Sequence, residues 1–258
     1  MYIYAKKRFG QHFLKDKHIA ERICDSLDVE QNCSVLEIGP GPGVLTQFLY
    51  PEYKENLYLV EIDRDMIPGL LTSYPLIASH IFEKDFLELE FKSIVEGQIA
   101  IIGNFPYNIS SQILFKLVEN YTIVPTMVGM FQKEVALRVA SKPGNKIYGL
   151  LSAWIQAFYE IEYLFTVNEG SFSPPPKVKS AVIRLTRKTV VPDCDHKLLL
   201  QVIKAAFNQR RKTLRNALGM YKDHFEMIPD TAVLNKRAEE LGYLEFISLT
   251  LAFQKKVN

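Results

Sequence analysis

The chain has 258 residues, of which 48% are hydrophobic and 23% are charged, and its formal net charge is +2. This length allows one large domain, or a large domain with a small one, and the composition excludes extensive disorder. No apolar run approaches the roughly 18 residues that a membrane span needs. Residues 1–14 lack the apolar core and the cleavage site of a secretory signal, so we expect a cytoplasmic protein without a membrane partner.

Cysteine and histidine give no sign of a metal centre. The three cysteines, Cys24, Cys33 and Cys194, are widely spaced, and the five histidines lack the spacing that is typical of metal ligands. We therefore expect reduced thiols and no bound metal.

Short apolar runs alternate with amphipathic segments along the first part of the chain. Residues 110–120 are typical of the helices, with apolar side chains on one face. The alternation predicts an α/β fold in which a mainly parallel sheet has helices on both faces. Two later strands follow without the same alternation, so we expect the sheet to end in an antiparallel pair. The seven predicted strands are residues 34–38, 57–63, 80–83, 98–103, 126–131, 159–167 and 178–186.

From about residue 190 the pattern is helical throughout. Apolar side chains recur at helical spacing from Lys197 to Leu218, and Gly219 is a typical helix end. We therefore predict one long helix at this place. The chain as a whole would divide into an α/β domain, residues 1–188, and a small all-helical domain, residues 189–258.

Basic residues are concentrated towards the end of the chain. From Arg187 onward there are 13 basic and 8 acidic residues, and the stretches 171–188 and 204–215 contain basic residues but no acidic ones. Three more basic residues lie at positions 6–8. Such runs are often only solvated surface, but their concentration here favours a polyanionic partner.

A glycine-rich loop, Gly-Pro-Gly-Pro-Gly at residues 39–43, follows the first predicted strand. Glycine lets a backbone turn sharply and pass close to a ligand, and this spacing favours a nucleoside-type cofactor over a dinucleotide. Glu61, at the end of the second strand, is placed to accept from both ribose hydroxyls. Asp85, just past the third strand, is placed to accept from an adenine amine. The alternative for the loop is a glycine-rich turn that binds no ligand. The alternative for Asp85 is a helix cap or an ordinary loop residue.

The most specific motif is Asn104-Phe105-Pro106-Tyr107, at the end of the fourth strand, where open α/β sheets bind their ligands. An adenine amine is a poor nucleophile because its lone pair is delocalised into the ring. The side-chain oxygen of Asn104 and the carbonyl of Pro106 can accept both amine hydrogens and so direct the lone pair towards a methyl donor. Tyr107 offers a ring on which a base that has left its strand can stack.

Residues 103–110 resemble the catalytic motif of the ribosomal RNA adenine dimethyltransferases. Other segments similar to motifs of that family are residues 7–14, 37–41, 60–65, 172–182 and 207–214. The resemblance implies a Rossmann-like methyltransferase domain with S-adenosylmethionine as cofactor. It implies methyl transfer to N6 of two adjacent adenosines near the 3′ end of 16S rRNA, within the small ribosomal subunit or its precursor, during assembly of that subunit. We expect a monomer.

The resemblance also assigns roles to residues. Asn104, Pro106 and Tyr107 would be catalytic, and Phe172 would be the second ring that stacks on the target base. Contacts to the cofactor would come from His12, Leu14, Gly39, Glu61, Asp85 and Asn104. From the basic stretches, and not from the resemblance, we expect contacts to RNA phosphates by Lys177, Lys179, Arg210, Arg211, Lys212 and Arg215. Each of these assignments has an alternative. Phe172 would instead anchor its loop in the core, His12 would have a capping or packing role, and the basic helix would serve solubility alone.

Two positions depart from the family's usual residues. His12 stands where asparagine is most frequent, and Phe105 stands where leucine is usual. A histidine can still bind the methionine carboxylate, but its charge then depends on pH.

Three other functions are compatible with parts of the sequence. A large-subunit rRNA adenine methylase would share the Asn-x-Pro-Tyr chemistry, although the basic segments favour the small subunit. A non-catalytic RNA or transcription partner would have no need of the intact residues 104–107. A nicotinamide dehydrogenase would need the full dinucleotide fingerprint, which residues 39–43 lack.

Overall fold

The computed structural model describes residue 6 and residues 10–29, 33–220 and 231–254. Residues 7–9 of the predicted N-terminal motif, which include positions 7 and 8 of the basic group, lie outside the described residues. The chain forms two compact units. The first unit is Met1–Ala136 with Ile161–Arg187, and the second unit is Leu137–Glu160 with Lys188–Asn258.

The elements of the described residues follow the predicted alternation. The strands are β1 (Phe13–Leu14), β2 (Ser34–Ile38), β3 (Leu57–Glu61), β4 (Ile81–Glu83), β5 (Ile99–Asn104), β6 (Thr126–Gln132), β7 (Tyr159–Val167), β8 (Phe172–Ser173) and β9 (Ser180–Arg187). The helices are α1 (Lys17–Asp25), α2 (Thr46–Tyr53), α3 (Ile67–Ser73), α4 (Ser110–Glu119), α5 (Lys133–Ala140), α6 (Leu150–Phe158), α7 (His196–Asn208), α8 (Leu214–Ala217), α9 (Thr231–Asn235) and α10 (Tyr243–Gln254). The seven strands predicted from the sequence are confirmed, with ends that differ by at most two residues.

Within the described residues, seven strands form one sheet in the order β4-β3-β2-β5-β6-β9-β7. The pairs from β4 to β6 are parallel, and β9 runs antiparallel to β6. A separate two-stranded sheet, which the sequence analysis did not predict, pairs β1 with β8. The mainly parallel α/β sheet is therefore confirmed.

Both faces of the sheet are covered, as the apolar strands require. Val35 and Ile102 belong to a core cluster that also contains Ala20 and Ile23 of α1 and Leu49 of α2. Successive side chains of a strand point to opposite faces, so the neighbouring residues in β2 and β5 lie on the other face. Of these neighbours, Leu36 of β2 and Ile101 of β5 are fully buried as well. Strands buried on both sides explain the continuous apolar runs in the sequence.

The strand order reverses at β2, because β3 lies on one side of it and β5 on the other. A crevice opens at the carboxyl ends of parallel strands at such a point. Residue 39, Glu61, residue 84 and Asn104 all lie at this edge of the sheet. The topology alone therefore brings together segments that are up to 65 residues apart in the sequence.

The second unit is mostly helical among its described residues, but it includes a segment that the sequence analysis assigned to the first domain. Seven of the nine residues of α6 are buried. Trp154 packs edge-on against Phe158 with ring centroids 5.0 Å apart, and Phe158 packs against His196 of α7 at 4.9 Å. Residues 137–160 thus pack with the C-terminal helices. For this reason the two units differ from the two predicted domains, which had a single boundary near residue 188.

The predicted helix from Lys197 to Leu218 is corrected by the structure, because α7 ends at Asn208. The N–H of Leu214 donates to the carbonyl of Lys236 at 2.8 Å, and Thr213 forms an isolated bridge with Arg237. Leu214 is also fully buried. Tertiary pairing of this backbone outweighs the helical periodicity, so residues 209–213 form a turn. No helix in the described part of the chain is long and apolar enough to span a membrane.

Candidate active site

A cavity of about 270 Å³ opens at the carboxyl ends of the parallel strands in the first unit. Its walls come from residues 10–13, from the ends of β2, β3 and β5 with the residues that follow them, and from the loop after β4. The residues that line it are Gly10, Gln11, His12, Phe13, Ile38, Gly39, Gly41, Val60, Glu61, Ile62, Lys84, Asp85, Phe86, Asn104, Phe105, Pro106, Tyr107, Asn108 and Ile109.

The glycine loop adopts the conformations that its residues suggested. Gly39 has φ +64° and Gly41 has φ +53°, which is the left-handed region that other residues rarely occupy. A Cβ atom on Gly41 would also lie 3.2 Å from the ring of Phe13. Glycine is therefore needed here both for the turn and for the close approach of Phe13 of β1.

Glu61 is buried, and both of its carboxylate oxygens accept backbone hydrogen bonds. The N–H of Gly41 donates to Oε2 at 2.9 Å, and the N–H of Asp63 donates to Oε1 at 2.8 Å. Burial raises the pKa of Glu61, while these two hydrogen bonds oppose that increase. Each oxygen keeps a second lone pair, so the carboxylate can still accept from a pair of hydroxyl groups.

Asp85 is the cap of a short helical turn, and it also lies in the wall of the cavity. Its Oδ1 accepts from the N–H of Leu87 at 2.8 Å. Lys116 of α4 holds the same turn, because its Nζ donates to the carbonyl of Leu87 at 2.7 Å. The cap leaves Oδ2 of Asp85 available for a ligand.

Asn104 is oriented by a hydrogen bond across the cavity. Its Nδ2 donates to the backbone carbonyl of His12 at 2.9 Å. A carbonyl can only accept, so this contact assigns the amide nitrogen to that side. The oxygen Oδ1 is left as the acceptor for a ligand, and the described residues donate no hydrogen bond to it.

The Phe105 ring packs closely against two glycines on neighbouring strands. Gly103 of β5 pairs with Gly129 of β6. A Cβ atom would lie 2.7 Å from the Phe105 ring at the first position and 2.2 Å from it at the second. The buried ring also packs on Phe131, with centroids 5.0 Å apart. Close approach of an aromatic ring explains glycine in the middle of buried strands.

Tyr107 is fixed on two sides. Its hydroxyl lies 2.5 Å from Oγ of the buried Ser180, and the His12 ring stacks on it with centroids 5.7 Å apart. Nδ1 of His12 lies 2.9 Å from the carbonyl of Pro174. That nitrogen is therefore the protonated one, because the carbonyl can only accept. Burial raises the pKa of Tyr107, so its phenol stays protonated.

Two predicted site residues lie outside the cavity. Leu14 and Phe172 are opposite each other in the pair of β1 and β8, and both side chains belong to the buried core. The Phe172 side chain is only 1% exposed. Its predicted role as a second stacking ring is therefore not supported by this geometry, and its alternative role as a core anchor is. Leu14 holds the backbone that carries His12 but does not reach the cavity itself.

The predicted RNA contacts divide into free and engaged side chains. Lys177 and Lys179 are exposed in the first unit. In the second unit, Arg210 donates from Nε to Glu239 at 2.6 Å and from a terminal nitrogen to the Lys146 carbonyl at 2.6 Å. The other three basic residues of this stretch, Arg211, Lys212 and Arg215, are exposed. Arg210 thus has an internal structural partner that the sequence did not indicate.

Several residues of the site were not assigned a role from the sequence. Ile62, Lys84 and Asn108 line the cavity, and each is the sequence neighbour of a residue that was assigned a role, namely Glu61, Asp85 or Tyr107. Ser180, the first residue of β9, was missed since no local pattern connects it to Tyr107, 73 residues away. Among the described residues, no group of histidine, cysteine, aspartate and glutamate side chains is arranged to hold a metal ion.

Comparison with known proteins places these features in a family. The family model described as ribosomal RNA adenine dimethylase matches residues 3–255. The ribosomal RNA small subunit methyltransferase A of Bacteroides thetaiotaomicron is 52% identical over 248 residues, which are 95% of this chain and 92% of that protein.

Two solved structures resemble the fold. A dimethyladenosine transferase from Plasmodium falciparum has a TM-score of 0.81 and 28% identity, and the match covers 95% of this chain and 98% of that one. The 23S rRNA methyltransferase ErmE has a TM-score of 0.65 and 25% identity, with 92% and 99% covered. The sheet is accordingly that of a Rossmann-like methyltransferase. The chain belongs to the ribosomal RNA adenine dimethylase family.

Proposed function

We propose that this protein transfers methyl groups from S-adenosylmethionine to N6 of two adjacent adenosines near the 3′ end of 16S rRNA, giving N6,N6-dimethyladenosine in the small ribosomal subunit or its precursor. The observation that carries the chemistry is the orientation of Asn104, whose Oδ1 is left as an acceptor at the carboxyl end of β5. The choice of the small subunit is supported by the 52% identity to a relative named for that substrate.

The cavity has the donors and acceptors that an adenosine-containing cofactor requires. Glu61 has lone pairs for two ribose hydroxyls, and Asp85 has a carboxylate oxygen for an adenine amine. The left-handed Gly39 and Gly41 let the backbone approach the ligand closely. The residues therefore fit S-adenosylmethionine, which supplies an activated methyl group on a sulfonium when it is bound.

The first task of the protein is to hold and orient the target amine. Oδ1 of Asn104 accepts one amine hydrogen, and the carbonyl of Pro106 accepts the other. That carbonyl already receives a long hydrogen bond of 3.3 Å from Ile109, and its second lone pair serves the amine. Two acceptors on one nitrogen draw it towards a tetrahedral geometry and direct its lone pair at the methyl donor. Most of the catalytic effect then comes from positioning.

The second task is to hold the adenine out of its strand. One face of the Tyr107 ring is covered by His12, so we assign the other face to the base. The hydrogen bond to Ser180 fixes the plane of the ring before the base arrives. Stacking on an aromatic ring contributes about 1–3 kcal/mol for each base and tolerates a methylated amine. The same base can therefore be presented twice.

The third task is to hold the phosphate backbone. We assign this to the exposed Lys177, Lys179, Arg211, Lys212 and Arg215, without Arg210. Phosphate contacts set orientation and affinity but do not read sequence. Selection of the two adenosines would then depend on the fold of the RNA around them.

The direct test is transfer of a tritiated methyl group from the cofactor to purified small subunits that lack the modification, followed by mass spectrometry of the nucleosides. We expect N6,N6-dimethyladenosine at two adjacent positions. Labelled 23S rRNA with unlabelled 16S rRNA would identify a large-subunit methylase instead. Cofactor binding without transfer to either RNA would indicate a non-catalytic RNA partner.

A further inference from the structure

Asp63 is a buried carboxylate that does not line the cavity but binds two side chains from the N-terminal part of the chain. It is 1% exposed. Nζ of Lys6 lies 2.5 Å from its Oδ1, and Nε2 of Gln11 donates to its Oδ2 at 2.9 Å. Both oxygens are thus occupied by residues more than 50 positions away.

The residues that Asp63 holds form one wall of the cavity. Gly10, Gln11 and His12 line it, and the N–H of Lys6 donates to Oε1 of Gln11 at 2.8 Å. The carbonyl of His12 is also the acceptor that orients Asn104. A shift of this wall would therefore change both the shape of the cavity and the orientation of Asn104.

Asp63 is also joined to the acid that we assign to the ribose. Its backbone N–H donates to Oε1 of Glu61 at 2.8 Å. One residue thus connects the strand end on one side of the cavity with residues 10–12 on the other. The connection is direct, since each step is a single hydrogen bond.

The charge of Asp63 is maintained by its partners. Burial opposes ionisation, but the hydrogen bonds from Lys6 and Gln11 lower the pKa of Asp63. Lys6 also forms an ion pair with Asp65, whose side chain is 66% exposed. Exposed ion pairs contribute little, whereas removal of one member of a buried pair leaves an unpaired group. The buried carboxylate is therefore the one that holds the wall.

We infer that Asp63 is a positioning residue for cofactor binding, which fastens Lys6 and Gln11 so that residues 10–12 close one side of the cavity. This deepens the proposed function, because it concerns the same cofactor site. Asp63 acts through Gln11 and His12 and does not touch the cofactor.

The test is the dissociation constant of tritiated S-adenosylmethionine, measured by equilibrium dialysis for the parent and for matched variants. Asp63→Asn keeps the shape of the side chain but loses its charge, and we expect about tenfold weaker binding, of the size expected for a hydrogen bond to a charged group. Asp65→Asn removes the exposed partner of the same lysine and should bind within about twofold of the parent. Equal weakening by both variants, or none by Asp63→Asn, would overturn the inference.

A second variant keeps the test informative if Asp63→Asn folds poorly. Lys6→Met removes the cation from the other end of the pair and should also weaken cofactor binding. The double variant should be no weaker than the stronger single effect, because the two residues act through one contact. Additive losses would contradict the inference.

Turnover separates this role from a merely structural one. Asp63→Asn should raise the KM for the cofactor by more than it lowers kcat, because a bound cofactor itself holds residues 10–12 against the cavity. An unchanged KM with a reduced amount of folded protein would show a stability role only. If the parent binds the cofactor but methylates no small subunits, the proposed substrate fails and the comparison of Asp63 with Asp65 still stands.

Discussion

The cavity of the first unit and the basic stretch of the second unit obtain their polar groups in different ways. In the cavity, Glu61, Asp85 and Asn104 come from separate strand ends that the parallel sheet brings to one edge. In the second unit, residues 204–215 are contiguous, and their positions were expected from one helical pattern. That helix ends at Asn208, and Arg210 turns to an internal acid, Glu239.

The difference concerns what sets the position of a side chain. A residue at the end of a buried parallel strand is placed by the sheet, whose backbone hydrogen bonds fix its neighbours. A long basic side chain next to a turn can pair with any acid in reach, and sequence charge alone does not say which. Variants in the two regions should therefore fail in different ways.

The largest effect is expected at the cavity. Asn104→Ala removes the acceptor for the target amine and its link to the carbonyl of His12. Turnover on small subunits should fall at least about 1,000-fold, because positioning supplies most of the rate. RNA affinity should persist, since phosphate contacts lie elsewhere. Near-parental methylation would remove Asn104 from the mechanism.

The next largest effect is expected on the free energy of unfolding, and it tests whether Phe172 is a core residue or a stacking ring. Its burial predicts that Phe172→Ala lowers the free energy of unfolding by about 3–5 kcal/mol. Phe172→Tyr places a hydroxyl in the core and should cost about 1–3 kcal/mol. Urea unfolding, with the ratio of mono- to dimethyladenosine in the product, distinguishes the roles. Full stability of the alanine variant with lost dimethylation would restore the stacking interpretation.

A smaller effect is expected on RNA binding, and it distinguishes basic residues of the second unit that contact RNA from the one that pairs within the protein. Neutralising Arg211 and Arg215 together should weaken RNA binding and flatten its salt dependence, by about 0.7–0.9 in the log–log slope for each lost contact. Arg210→Gln is the matched control: it should lower stability by about 1 kcal/mol and leave the slope unchanged, because this arginine pairs with Glu239. A flatter salt slope for Arg210→Gln, with an unchanged slope for the Arg211 and Arg215 variant, would show that Arg210 contacts the RNA and that the other two do not.

The last prediction concerns the pH dependence of stability and rests on the buried Glu37 of β2, to which the Thr46 hydroxyl donates at 2.6 Å. Burial raises the pKa of Glu37 to about 8, from an ordinary value of 4.5. The native state therefore keeps a proton that the unfolded chain releases between these two pH values. The free energy of unfolding should fall as pH rises from about 4.5 to about 8.

Glu37→Gln is the matched variant for this prediction, since its side chain stays neutral. Its free energy of unfolding should lose the part of the pH dependence that Glu37 causes. Chemical unfolding of parent and variant across this range is the measurement. Parallel curves for the two proteins would show that Glu37 is ionised in the folded state.

The strands and most of the cavity could be predicted because each depends on local pattern. Glycines after a strand, an acid at a strand end and the Asn-x-Pro-Tyr motif are short signals, and a parallel sheet brings them to one edge. The small sheet of β1 and β8 could not be predicted, because two-residue strands have no periodicity. The buried position of Phe172 follows from that sheet.

The sequence by itself determined the alternating α/β pattern, the strand ends that supply the cavity and the identity of the groups that face it. Only the tertiary structure decided that residues 137–160 pack with the C-terminal helices and that α7 stops at Asn208. It also decided that Asp63 binds Gln11 and that Ser180 binds Tyr107, in each case across more than 50 residues of sequence. The physical reason is the separation along the chain over which each kind of interaction acts. Periodicity and turn chemistry act over a few residues, whereas burial and hydrogen bonds between distant segments depend on which surfaces meet once the chain has folded.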